Sequence, residues 1–150
     1  MAMQGIHDPN ARRTPAHWFA LVAGLVYVSI GVLGFFVTEF DNFVGHSDQT
    51  LILFEVNPFH NVVHLTIGAL WLGAAFMLAP MATHGVNFAI SGFYLLAALG
   101  GFLGLGIFDD LLAIDGVLHP DNFLHLGTGL AALPFGVGVL RSHAVPSASA

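Results

Sequence analysis

Cysteine is absent from the 150 residues. Disulfides, thiolate zinc sites and cysteine-ligated clusters are thereby excluded. Basic residues are almost missing: Arg12, Arg13 and Arg141 are the three present, so the chain lacks the basic surface that a nucleic-acid partner requires. Charged residues of either sign make up 8%, against roughly 25% in a soluble domain. So little polar surface calls for a bilayer as solvent. No glycine-rich phosphate loop follows a strand, and neither G-x-S-x-G nor H-E-x-x-H occurs. Nothing in the sequence marks catalysis, and it reads as a non-enzyme.

What remains is apolar: 56% of the residues are hydrophobic, with nine histidines and nine acidic residues. The length suits one domain. No Asp, Glu, Lys or Arg falls between Arg13 and Glu39, between Glu55 and Asp109, or between Asp121 and Arg141. A spanning helix needs about 20 apolar residues. The outer gaps hold one span each. The middle gap holds two, broken by Pro80, Gly85 and Asn87. The expected spans are 17–37, 59–79, 86–108 and 122–140, within a membrane domain of residues 16–141. The turn Pro80–Gly85 is short enough to make the second and third helices antiparallel neighbours. Residues 1–15 and 142–150 read as tails. The first apolar stretch exceeds the roughly 7–15 residues of a signal-peptide core and is kept as a span. A β-barrel needs alternating segments, and runs such as 89–105 do not alternate.

Four spans put all three arginines on one side. The positive-inside bias then makes both termini cytoplasmic. Loops 38–58 and 109–121 face outward, and all the acidic residues except Asp8 lie in them or at adjoining helix ends.

The second span opens Asn61-x-x-His64-Leu65-x-x-Gly68, and the fourth opens Asn122-x-x-His125-Leu126-x-x-Gly129. The first carries Tyr27-x6-Gly34-Phe35, and the third carries Tyr94-x6-Gly101-Phe102. Self-similarity of this kind reads as duplication. The fold class is therefore an all-α membrane protein, a four-transmembrane-helix bundle built from two parallel-repeat helical hairpins. Its pseudo-two-fold axis runs along the membrane normal rather than in the membrane plane.

On these motifs the chain resembles an uncharacterised family of bacterial four-helix integral membrane proteins, a domain of unknown function. The resemblance covers about residues 16–140. It implies four helices in a bacterial plasma (inner) membrane and brings no activity with it.

Candidate chemistry rests on the histidines. His60 and His64 are four apart on the second span, and Asp121 and His125 on the fourth. At that spacing each pair shares a helix face. The repeat sets His60 opposite Asp121 and His64 opposite His125. Converging faces would gather three imidazoles and a carboxylate, a set suited to zinc, copper or iron. Glu55, Asp115 and His119 are near enough in sequence to assist. Asn57-Pro58 reads as a helix N-cap and first position, and the positive helix end favours the neutral, ligating imidazole at His60. Asn61 and Asn122, three residues before the deeper histidines, are placed to fix ring tautomers.

A purely structural alternative ranks ahead of the metal. In it His64 bonds Asn122 and His125 bonds Asn61 in a symmetric clasp across the bundle. A b-type haem between His64 and His125 ranks third. His7, His17, His46, His84 and His143 read as tail, interface or loop residues, and 51–54 as an amphipathic piece along the outer interface. Three functional readings follow, in this order. The first is a structural or accessory subunit of a membrane assembly, joined to a membrane-protein partner or to further copies of itself. The second is a metal-binding or redox protein using His60, His64, Asp121 and His125. The third is a b-haem protein. The lipid bilayer is the partner common to all three.

Overall fold

The computed structural model describes residues 13–40 and 42–141; the expected tails apart from residues 13–15, and with them His7 and His143, lie outside the described residues. Four long helices, each apolar enough to cross a membrane, form the molecule, α1 (Pro15–Thr38), α2 (Pro58–Met77), α3 (Pro80–Phe102) and α5 (Pro120–Gly136). A short α4 (Ile107–Leu112) lies between α3 and α5, and α6 (Gly138–Arg141) prolongs α5 through Val137. The protein is an all-α membrane protein.

Proline starts all four long helices at their first position, where its missing N–H costs nothing. That rule moves one expected boundary. The middle stretch breaks just before Pro80, which begins α3 six residues ahead of the expected 86, and Gly85 and Asn87 lie inside that helix. The far end moves as well, from 108 to Phe102. Gly104 takes a left-handed φ of 67°. The amide of Leu105 then reaches back to the Gly100 carbonyl, and that of Gly104 to Gly101. This is the Schellman termination, which only a residue free of a Cβ penalty forms cheaply.

Packing divides the bundle into two hairpins. α1 lies along α2 and α3 along α5, whereas α2 and α3, joined by only two residues, touch much less. Glycines set the close approaches within each hairpin. A side chain on Gly24 would meet Leu72 and the Gly68 carbonyl at 2.9–3.0 Å. Ser91 holds the matching place in the second hairpin and donates to the Gly129 carbonyl at 2.7 Å. Gly34 leaves room for the Asn61 amide and Gly101 for the Asn122 amide.

At the end of the bundle near Thr14 the polar groups are satisfied. His17, expected as an interface residue, is buried in the first turn of α1. Its Nδ1 accepts from the Thr14 amide at 3.1 Å, which leaves Nε2 to donate to the Leu78 carbonyl at 3.0 Å. Asn87 accepts from the Trp71 indole and donates to the Ala16 carbonyl, tying α1, α2 and α3. His84 lies within α3, not in a loop, with Nδ1 2.6 Å from the Phe135 carbonyl. These groups hold register.

At the opposite end residues 50–55 form a two-stranded hairpin, with Thr50 paired to Glu55 and Leu51 to Phe54. This replaces the expected amphipathic piece. The reason is the left-handed turn at Ile52 (φ 64°), which folds the segment back. Asn57 is the keystone of this end. Its Oδ1 caps α2 by accepting from His60 N at 2.8 Å, and its Nδ2 donates to the carbonyls of Gly45 (2.9 Å) and Leu111 (3.0 Å). One fully buried amide thus joins both loops. Asn57→Ala removes a cap worth about 1 kcal/mol and strands two carbonyls at about 1 kcal/mol or more each. The expected result is a clear drop in melting temperature in detergent, with faster proteolysis in loops 39–57 and 103–119. Unchanged melting would show that the loops are held elsewhere.

Candidate metal centre

The caps aim the first turns of α2 and α5 at each other. His60 is the third residue of α2 and Asp121 the second of α5, with His64 and His125 one turn deeper. All four are buried, between 0% and 3% exposed. His60, Asp121 and His125 each offer a ligand atom, and these atoms lie within 4.8 Å of one another. The faces therefore converge for three of the four expected residues. His64 stands beside them, its ring centroid 4.4 Å from that of His60, but outside the triplet.

The polar atoms here are unsatisfied. Among the described residues, both ring nitrogens of His60 and of His64, Nδ1 of His125 and both oxygens of Asp121 have no hydrogen-bond partner. The backbone of Leu112 approaches the His60 ring without meeting hydrogen-bond geometry. Buried polar groups are otherwise paired in more than nine cases out of ten. The contrast with the satisfied network around His17 and Asn87 is within one molecule.

The expected asparagine clasp does not form. Asn61 Nδ2 donates to Thr38 Oγ1 at 3.3 Å, and Asn122 Nδ2 donates to the carbonyls of Gly116 and Val117, both at 3.1 Å. Each asparagine thus ties its own outer loop, not a histidine ring. The amides point into the glycine notches of α1 and α3 and so away from the imidazoles.

His119 Nδ1 lies 3.6 Å from Asp121 Oδ2. It is not a charge partner. The same Nδ1 accepts from the Asp121 amide at 3.3 Å and so carries no proton toward the carboxylate. Burial pulls the His119 pKa below the ordinary histidine value, against the opposing pull of Glu55 and Asp115. Asp121 is thus a buried carboxylate with no cation against it. Glu55 turns instead to His46, 3.7 Å away.

Aromatic rings complete the surroundings. Tyr27 packs on His64 and Tyr94 on His125, each at 5.3 Å between ring centroids. The Tyr27 hydroxyl meets Thr128 Oγ1 at 2.7 Å; that of Tyr94 is buried and lies close to the Tyr27 hydroxyl without meeting full hydrogen-bond geometry. A cavity of about 200 Å³ opens beside the triplet, lined in part by His60, His64, Tyr94 and His125. Tyr94 is the residue that sequence reasoning passed over. It stood in the Tyr-x6-Gly-Phe repeat, a signal of position that carries no chemistry by itself.

No curated protein and no solved structure matches the chain. A family does match, over residues 17–138, a range that takes in nearly all of the four apolar helices. The chain belongs to that family, the Domain of unknown function (DUF4383).

Proposed function

We propose that this is a bacterial plasma-membrane protein, both termini cytoplasmic, whose outer end holds a divalent transition-metal ion on His60, Asp121 and His125. One observation carries the reading: three fully buried ligand groups from two helices lie within 4.8 Å of one another, with their ligating atoms otherwise unpaired. A buried carboxylate without a counter-charge is costly. A cation between Asp121 and the two imidazoles removes that cost and satisfies the nitrogens together. Two imidazoles and one carboxylate suit zinc, iron(II) or copper(II). Three protein ligands beside a cavity leave a coordination position open, as in catalytic rather than structural sites. His64 is placed to bond a ligand at that position.

The two hairpins are, on this reading, copies of one unit. The Gly34–Asn61 and Gly101–Asn122 notches correspond, as do the Tyr27–His64 and Tyr94–His125 pairs at the same 5.3 Å. The copies then diverged where Asp121 replaced the counterpart of His60, which supplies the charge a divalent ion requires.

The accessory-subunit reading rests on small size and the lack of mid-span charge; it offers no role for the unpaired donors. A haem between His64 and His125 does not fit this packing. Tyr27 and Tyr94 cover those rings, and Trp71 fills the space behind them.

The test is the metal content of protein purified in detergent without chelator or metal-affinity tag. Near-stoichiometric zinc, iron or copper is expected in the wild type, with nearly complete loss in the His60→Ala/His125→Ala double variant. Metal-free wild type from supplemented medium would overturn the reading. Metal retained in full by the double variant would place the ion elsewhere.

A further inference from the structure

The cavity beside the triplet is built unevenly. Its floor is formed by the ring faces of His60, His64, His125 and Tyr94, all 3% exposed or less, whose buried polar atoms lie just beneath its surface. Its walls are apolar and partly aromatic, with Val63 from α2, Phe93, Leu96 and Ala97 from α3, and Phe108 and Leu112 from α4. It occupies the gap left where α2 and α3 fail to pack closely. Phe93 and Leu96 are 49% and 70% exposed, on the outward side of a membrane helix. The mouth therefore faces the acyl chains, not the aqueous loops. α4 forms the roof. Its Phe108 ring rests on Gly100, where a Cβ would come within 2.8 Å of Cζ.

We propose that this cavity is a chamber for an uncharged, oxygen-bearing ring compound of the phenol or quinone class, admitted sideways from the outer leaflet of the bilayer. No basic side chain other than the buried imidazoles lines the cavity, which leaves an anionic lipid headgroup without the Lys or Arg partner it would need. A bare acyl chain would leave the Tyr94 hydroxyl and the imidazole nitrogens unpaired, the costly outcome for buried polar groups. A ring fits the aromatic walls by edge and face contact. One oxygen on that ring accepts from Tyr94 Oη and reaches the floor. The proposal rests on the metal reading only for the oxygen's second contact, the open coordination position; the Tyr94 contact stands without it.

Trp71 reports on the site, because its ring lies 6.3 Å from that of Tyr94. The chain has two tryptophans, so Trp18→Phe makes Trp71 the sole emitter. Titrating this protein in detergent with decylubiquinone is expected to quench Trp71 saturably. Ala97→Phe fills the chamber and is expected to weaken apparent binding more than tenfold. Tyr94→Phe keeps the volume, removes the donor and is expected to weaken it about tenfold, the worth of one hydrogen bond. Metal content, measured on the same samples, should be unchanged in both variants. Should Ala97→Phe fail to fold, Tyr94→Phe decides. Quenching that never saturates, or is equal in wild type and variants, overturns the chamber whether or not metal is bound. Equal competition by decanol, which has a hydroxyl but no ring, overturns the ring class. Saturable, Tyr94-dependent quenching in protein without metal supports the chamber while removing the metal reading.

Discussion

Asparagine in place of Asp121 is expected to make the metal-free protein more stable and at the same time to empty the metal site. The two effects have one cause. The Asp121 carboxylate is 0% exposed, neither oxygen accepts a hydrogen bond, and the nearest polar side chain, His119, faces it with an unprotonated nitrogen. Folding therefore buries a charge, or forces it to be neutralised, with nothing in return. The asparagine side chain is isosteric and neutral, so folding no longer buries a charge. Relief of one buried unsatisfied group is worth about 1–3 kcal/mol, more for a charged one. For a chain of this size each kcal/mol moves the melting temperature by about 2–4 °C. Thermal unfolding of chelator-treated protein in detergent should show that rise. Metal affinity should fall far more than the roughly 10–100-fold typical of losing a group that merely supports a ligand, because the only anionic ligand is gone. A group kept for structure behaves the other way, and its removal destabilises. Lower melting of the chelated Asp121→Asn protein would therefore assign Asp121 to the scaffold and take away the main support for a bound ion.

The opposite signs at the two ends of the bundle make the same point. His17 and Asn87 sit among matched partners, and replacing either leaves a partner stranded. His60, Asp121 and His125 have no such partners to strand. Natural proteins carry stability costs of this kind where function requires them. Both sets are buried histidine and polar residues near helix starts, and sequence alone could not separate them. The charge-free stretches did reveal four helices, because exclusion of charge from hydrocarbon is read residue by residue. Asn57-Pro58 was legible as a cap for a similar reason: the rule is local. The i, i+4 pairs on α2 and α5 pointed to the end of the bundle where ligand atoms of His60, Asp121 and His125 come within 4.8 Å of one another. Three things were not legible. Hydropathy runs unbroken to Phe108, so it does not register that Gly104 turns left-handed and ends α3. The partners of Asn61 and Asn122 depend on which helix faces them. That His64 stands outside the triplet depends on how α2 and α5 face each other, which a repeat alignment does not report.

Gly101→Ala is expected to be strongly destabilising, and Asn122 is the reason. A Cβ at position 101 overlaps the Asn122 side-chain amide. That amide has no easy retreat, since its nitrogen is bonded to both Gly116 and Val117 carbonyls. Either α3 moves off α5, or Asn122 swings out and drops two buried hydrogen bonds. Overpacking costs about 1–3 kcal/mol, and each lost bond adds about 1 kcal/mol. The sum is a large share of the roughly 5–15 kcal/mol that holds a typical domain. Gly34→Ala makes the corresponding clash with Asn61, whose single bond to Thr38 is longer at 3.3 Å. Asn61 therefore yields more readily, and Gly34→Ala should be the milder of the two. Chemical unfolding of Gly101→Ala, Asn122→Ala and the double variant measures the clash directly. The cost of Gly101→Ala should shrink by about 1–3 kcal/mol in the Asn122→Ala background, the range for residues in contact. Additive effects would mean that the helices approach less closely than the glycine notch requires. The same displacement reaches the metal centre. Asn122 adjoins Asp121 in the first turn of α5, so a shifted Asn122 carries the carboxylate away from His60. Gly101→Ala should therefore lower metal content as well as stability, although position 101 touches no ligand. Gly34→Ala presses on Asn61, the residue after His60, and should lower metal content less.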